Sequence, residues 1–191
     1  MRPLTGLAVC RHLLPESRAC CQARGLDHVL PLPFEPRCDR QWPDWEAVRE
    51  ALPAHADCDR IAVVGSTCLP AGEPPPGAVP LWVTRTSTCF SLLADDESVD
   101  AWISRGCYLV TPGWLRQWRD AVAAWGYDEA TARAHFSEFA TTVLLLDTGL
   151  DADAAVRLRE FAGFLGLRAE VHRVTLDAFC DRLARAVQCP P

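Results

Sequence analysis

The sequence predicts an α/β fold, a mostly parallel sheet with helices on both faces (a Rossmann-like three-layer sandwich), built as a single domain over residues 1–191. Three observations predict it. Short apolar runs suited to buried strands recur along the chain, and each is followed by a stretch with apolar residues at helical spacing. The strand and helix signals alternate from end to end, as they do when parallel strands are joined by crossover helices. The 191 residues are 49% hydrophobic and 23% charged, enough apolar material for a sizeable core, with neither long apolar spans nor the polarity of a disordered chain.

"LTGLAVC" reads as the first strand, and "PESRACCQARG" as a helix that Pro15 opens and Gly25 closes. "HVLPLPF" is a weaker strand interrupted by two prolines, and "PDWEAVREAL" a helix with Trp45, Val48 and Leu52 along one face. "RIAVVGS" is the best buried strand of the N-terminal half. A Pro/Gly-rich loop over 69–80 leads to the strand "PLWVT", with a helix expected to begin near Ser87. "SLLADDESVDAWISRG" has helical spacing and stops at Gly106, and "CYLVTPG" is a strand running into a proline. "WLRQWRDAVAAWG" and "DEATARAHFSEFA" read as consecutive helices broken at Gly126. "TTVLLLDTG" is a buried strand, "DADAAVRLREFAGFLG" a helix with Asp151 as its expected N-cap, "RAEVHRV" a strand and "TLDAFCDRLARAV" a last helix. No internal repeat is legible between the two halves.

The composition narrows the function. All 19 basic residues are arginines, so chemistry that needs a lysine, such as a Schiff base or a phosphate-loop lysine, is excluded. A net charge of −6 gives no basic footprint for nucleic acid. The N-terminal "MRPLTGLAVCRHLLPE" has only a short apolar stretch broken by Cys10, Arg11 and His12, and no segment suits a membrane span. A cytoplasmic location is expected. "GSTC" lacks the Gly-x-Ser-x-Gly elbow of hydrolases, and no Gly-x-Gly-x-x-Gly follows the first strand.

Ten cysteines then need an account. A reducing compartment disfavours structural disulfides and leaves metal ligation, catalysis or burial. No two form a Cys-x-x-Cys, so any metal site must be assembled by the fold. In an open parallel sheet, ligands collect beyond the carboxyl ends of the strands. Cys10 ends the first strand, Cys68 follows "RIAVVGS" and Cys89 follows "PLWVTRTS", so three thiols are delivered to one edge. Three thiolates suit an iron–sulfur cluster with one iron left open to another ligand, or a zinc ion with His12 or water as the fourth ligand. The other seven, Cys20, Cys21, Cys38, Cys58, Cys107, Cys180 and Cys189, read as packing residues, since free cysteine behaves as a small buried hydrophobe. The other histidines, His28, His55, His135 and His172, read as structural or exposed.

Four further residues qualify as pocket or neighbouring groups. Trp114 pairs with Trp118 four residues on, either as core or as the wall of a pocket beside the cysteines. Asp147 and Thr148 in "LLLDTG" fall at a strand end; Asp147 either caps the next helix or faces the ligand, and is a candidate proton-transfer group alongside His12. Arg85, between the fourth strand and Cys89, either pairs with an anion or a cluster's charge or makes a surface salt bridge.

The order Cys10, "VVGSTC", "TSTCF", "CYLVTPGWLRQW" and "LLLDTG" resembles the family catalogued as domain of unknown function 1638, over nearly the whole chain. The resemblance carries over the cysteines at positions 10, 68 and 89. The segment "GCYLVTPGWLRQWRDAVAAWGYDEATARAHF" is similar to the version of the domain linked to bacterial sensory histidine kinases. That likeness implies redox or ligand sensing, with a small-molecule ligand or a signalling protein as partner. Other members accompany corrinoid-dependent methyl transfer, which implies an enzyme or a cofactor-handling accessory instead. A metal-free interaction domain is the remaining alternative.

Overall fold

The structure is a computed structural model, and it describes residues 3–38, 41–52 and 57–188. Cys189 and His55 lie outside the described residues. The elements run β1 (Thr5–Cys10), α1 (Leu14–Ala23), β2 (Val29–Phe34), α2 (Trp45–Ala51), β3 (Arg60–Gly65), β4 (Leu81–Arg85), α3 (Asp96–Ser104), β5 (Cys107–Val110), α4 (Pro112–Leu115), α5 (Trp118–Ala124), α6 (Glu129–Ser137), β6 (Thr142–Asp147), α7 (Ala154–Leu165), β7 (Arg168–Arg173) and α8 (Asp177–Gln188). The α/β class and the parallel pairing are as the alternation predicts. The strands, however, divide between two sheets, one ordered β2-β1-β3-β4 and the other β5-β6-β7. The chain correspondingly forms two compact units, Met1–Leu92 with Leu176–Pro191, and Leu93–Thr175.

In the first unit every strand pair is parallel, so all four strands end at the same edge. β1 and β3 are central and almost wholly buried. The two prolines of β2 fit because β2 is an edge strand, where an absent N–H costs no ladder bond on the open side. Alternate residues serve opposite faces. Ala8, Leu32, Ile61 and Val63 pack with Trp45, Val48 and Leu52 of α2. Leu7, Val9, Ala62 and Val64 are buried as well, and α1 and α8 supply helical contacts to β2 and β3. Asp44 caps α2 by accepting from the Ala47 N–H at 2.8 Å.

α8 comes from the far end of the sequence and belongs to this unit. Phe179, Leu183 and Val187 are its buried stripe. The Trp82 indole N–H donates to the Ala186 carbonyl at 2.8 Å, and a disulfide joins Cys20 of α1 to Cys180 of α8 across a Cα–Cα distance of 4.9 Å. These two cysteines are therefore a covalent pair, where the sequence suggested simple packing. Burial and pairing coincide here, because both side chains lie in the interface between the two helices.

The second unit builds its core on aromatic rings. Phe161 of α7 is fully buried, with ring centroids at 4.9 Å from Trp114 and 5.3 Å from Trp118. Val143 and Leu145 of β6 belong to the same cluster. Trp102 of α3 lies 4.7 Å from His172 of β7. The helix expected over "WLRQWRDAVAAWG" is two short helices, α4 and α5, interrupted at Arg116 and Gln117. Where a helix was expected near Ser87, a 3-10 turn over Phe90–Leu92 precedes α3, which Asp95 caps through the Ser98 N–H at 2.7 Å.

Candidate metal centre

The carboxyl edge of the first sheet carries the three cysteines that the sequence singles out. Cys10 is the last residue of β1, and the chain then turns at once into a 3-10 helix over Arg11–Leu13. The His12 backbone N–H donates to the Cys10 sulfur. Cys89 is placed in the same way, directly before the Phe90–Leu92 turn, with the backbone N–H groups of Cys89 and Phe90 donating to its sulfur. Both thiols therefore meet backbone donors at the start of a helical turn, an arrangement suited to a sulfur that carries negative charge. Cys68 lies in the turn after β3, and its carbonyl accepts from the Trp42 N–H at 2.8 Å.

These loops are stitched to one another. The Thr86 N–H donates to the Gly65 carbonyl at 3.0 Å. The Arg85 guanidinium donates to the carbonyls of Pro70 and Gly72, the latter at 3.0 Å, and lies over the Trp45 ring at 5.5 Å. Arg85 thus holds the loop that follows Cys68, a positioning role that neither sequence reading foresaw. A side chain at position 65 would meet Leu69 at 2.8 Å, so the glycine of "GSTC" lets Leu69 fold back under the turn.

The thiols feel one another. Burial, first of all, pushes the Cys10 thiol far above its ordinary range, and the charges of Cys38, Cys89 and Cys68 add to the rise. Cys89 is pushed up to about 12, again mainly by burial and then by Cys38 and Cys68. Cys10, Cys68 and Cys89 thus act on one another electrostatically, and Cys38 acts on Cys10 and Cys89 as well. Cys38 was read as packing, yet it is exposed, in the loop behind β2. Its place behind the strand "HVLPLPF" is the signal in the sequence that puts it at the same edge as the other three.

Without metal, both raised thiols keep their protons where an unfolded chain would have lost them. The stability so conferred is complete below the unfolded thiol value and disappears as pH rises towards the folded one. Between about pH 9 and pH 12 the metal-free protein is expected to lose up to about 1.4 kcal/mol per pH unit for each retained proton. Urea unfolding across that range should show a shallower slope for Cys89→Ser than for the wild type; equal slopes contradict the assignment.

Among the described residues, no three His, Cys, Asp or Glu side chains come close enough to share one metal ion. A zinc ion holds each thiolate at about 2.3 Å, so its sulfurs crowd within about 4.6 Å of one another. In a cluster, cysteines ligate different irons and stand further apart. The thiols are the donor type that a cluster takes, and among the described residues they interact without forming a group that would hold a single ion. His12 is buried next to Cys10 but joins no such metal-sized group with the thiols.

The remaining candidates belong to the second unit. Asp147 and Thr148 close β6, at the carboxyl edge of the other sheet. Asp147 accepts from the Gly149 N–H at 2.8 Å and pairs with Arg173 at 2.9 Å, so it shapes its own loop and does not cap α7. Asp151, expected as that cap, is drawn into ion pairs with Arg116 at 2.7 Å and Arg157 at 2.5 Å. Trp114 and Trp118 are core residues around Phe161. Cys107 opens β5 in the same unit.

No helix is long and apolar enough to cross a membrane among the described residues. No curated protein and no solved structure matches the chain. A family model does match, over residues 45–183, which takes in Cys68, Arg85, Cys89, Trp114, Asp147 and Thr148 and leaves out Cys10, His12 and Cys38. With nearly three quarters of its length matched, the chain belongs to the family described as proteins of unknown function, DUF1638.

Proposed function

We propose that this chain is a domain that holds an iron–sulfur cluster through Cys10, Cys68 and Cys89 and uses it for redox or ligand sensing, in the manner of the kinase-linked version of the family; the Cys20–Cys180 disulfide counts against the reducing, cytoplasmic setting that the sequence suggests. One observation carries the reading: thiols from the loops behind adjacent parallel strands interact in a neighbourhood where burial and mutual repulsion disfavour their charge. Iron relieves both penalties, because each thiol gives up its proton and the metal charge balances the thiolate. The cluster would supply a reversible one-electron change, and the chain's residues would ligate it, donate backbone N–H bonds to its sulfurs and limit its exposure to water.

The loops that hold the cysteines are the route from cluster to signal. They are joined to one another by the bonds of Thr86 to Gly65 and of Arg85 to Pro70 and Gly72, so a change of charge at the sulfurs would act directly on the contacts between them. Amide hydrogen exchange on the anaerobic holoprotein, reduced and then oxidised with ferricyanide, is expected to quicken over residues 66–72 and 86–92. Identical exchange and identical oligomeric state in both oxidation states overturn the sensing role.

A further inference from the structure

We propose that Cys38 is the fourth thiolate of the same centre, so that each of the four strands of the first sheet supplies one ligand from its carboxyl end. The inference rests on the cluster reading above and changes its stoichiometry. The strands β2, β1, β3 and β4 lie side by side and parallel. β2 sets Phe34 opposite Cys10 in register, and Cys38 follows in the loop that leaves Phe34. That loop is tied to the segments around Cys10 and Cys68. Glu35 pairs with Arg11, next to Cys10. Arg37 lies over the Trp42 ring at 4.1 Å, and the Trp42 N–H reaches the Cys68 carbonyl.

The same neighbourhood appears in the electrostatics. A charge at Cys38 acts on both Cys10 and Cys89. The other cysteine thiols respond to different surroundings: Cys58 to burial and then Asp57 and Asp59, Cys107 to burial and then Arg105, Glu170 and Arg168, and Cys21 to burial alone.

A fourth thiolate alters the chemistry. Three cysteines leave one iron of a cubane open to a substrate, whereas four complete its protein ligation. Complete ligation suits the storage and release of an electron, and it removes the open iron that the enzyme reading requires. Cys38 is also the exposed member of the set, so its iron is the corner that solvent reaches first. On ligation the Cys38 S–H bond breaks, the proton passes to solvent and the sulfur binds iron.

The test uses the anaerobic holoprotein and iodoacetamide, with mass spectrometry to read each cysteine. Cys38 is expected to resist alkylation while iron is bound and to react at once after chelation of the iron. Cys38→Ser, a change in an exposed loop, is expected to fold as judged by circular dichroism, to lose at least one iron, and to give the EPR signal of a three-iron cluster after oxidation. Rapid labelling of Cys38 in holoprotein whose Cys10, Cys68 and Cys89 are protected overturns the fourth-ligand proposal and leaves the three-cysteine reading standing. So does a Cys38→Ser protein with wild-type iron content and spectrum. Equal labelling of all four thiols with and without chelator overturns both.

Discussion

Cys68→Ser is expected to purify anaerobically as a folded protein with its iron and sulfide lost. Serine keeps the shape of the side chain but is a hard and weakly acidic ligand, poorly matched to iron in a sulfur cluster. Cys68 is only partly buried, and the turn around it is held by backbone bonds that do not involve its sulfur, from Trp42 to the Cys68 carbonyl and from Leu69 to Ser66. The fold should therefore survive. Cys10→Ser and Cys89→Ser are expected to behave alike, while Cys107→Ser retains iron. Equal iron in the Cys68→Ser and Cys107→Ser proteins would show that the strand-end thiols are packing residues.

Phe161→Ala is the second large effect, and it concerns stability alone. Phe161 is fully buried, and its ring stands against Tyr108, Trp114, Trp118 and Phe136. Removing it leaves a cavity whose walls are bulky rings fixed on β5, α4, α5 and α6, which cannot collapse without moving those elements. A cost of roughly 3–5 kcal/mol is expected, a large share of the roughly 5–15 kcal/mol that holds a typical domain together. Denaturant unfolding followed by tryptophan fluorescence reads it directly, because Trp114 and Trp118 report on the same core. A loss below about 1 kcal/mol would mean that the cluster repacks and that the ring is not its centre.

Most of the elements are legible in the sequence because burial imposes period. "RIAVVGS" and "TTVLLLDTG" are strands buried on both faces, and their unbroken apolar runs announce it. The pairing of strands is not legible in the same way. Periodicity says that a segment is a strand and not which neighbour it takes, so a continuous alternation that suggested one sheet conceals a division into two. The recruitment of α8 to the first unit and the Cys20 to Cys180 bond are likewise long-range facts, set by packing across the whole length of the chain. Asp147 shows the same limit on a smaller scale: a carboxylate before a helix looks like a cap until a cationic partner, here Arg173 on the neighbouring strand, claims it.

The candidate site was legible to the extent that it follows from strand order. Cys10, Cys68 and Cys89 could be placed at one edge because each directly follows a well-formed apolar run. Cys38 also follows a strand legible in the sequence, but as a cysteine in a proline-interrupted segment it reads as packing, and the edge position that tolerates those prolines appears only when the sheet is assembled. Arg85 was noticed for its charge, whereas its guanidinium is spent on two loop carbonyls. Trp114 and the pair at 147 and 148 lie in the second unit, Trp114 in its core as one of its two readings has it.

The measurement that bears most directly on the central claim is iron, acid-labile sulfide and zinc analysis of the wild-type protein purified without air. The account predicts iron and sulfide in equal amounts, about four of each per chain, with zinc far below one. Zinc at one per chain without sulfide would contradict the cluster in favour of a single ion, and the absence of every metal would make the strand-end cysteines part of a metal-free interaction domain.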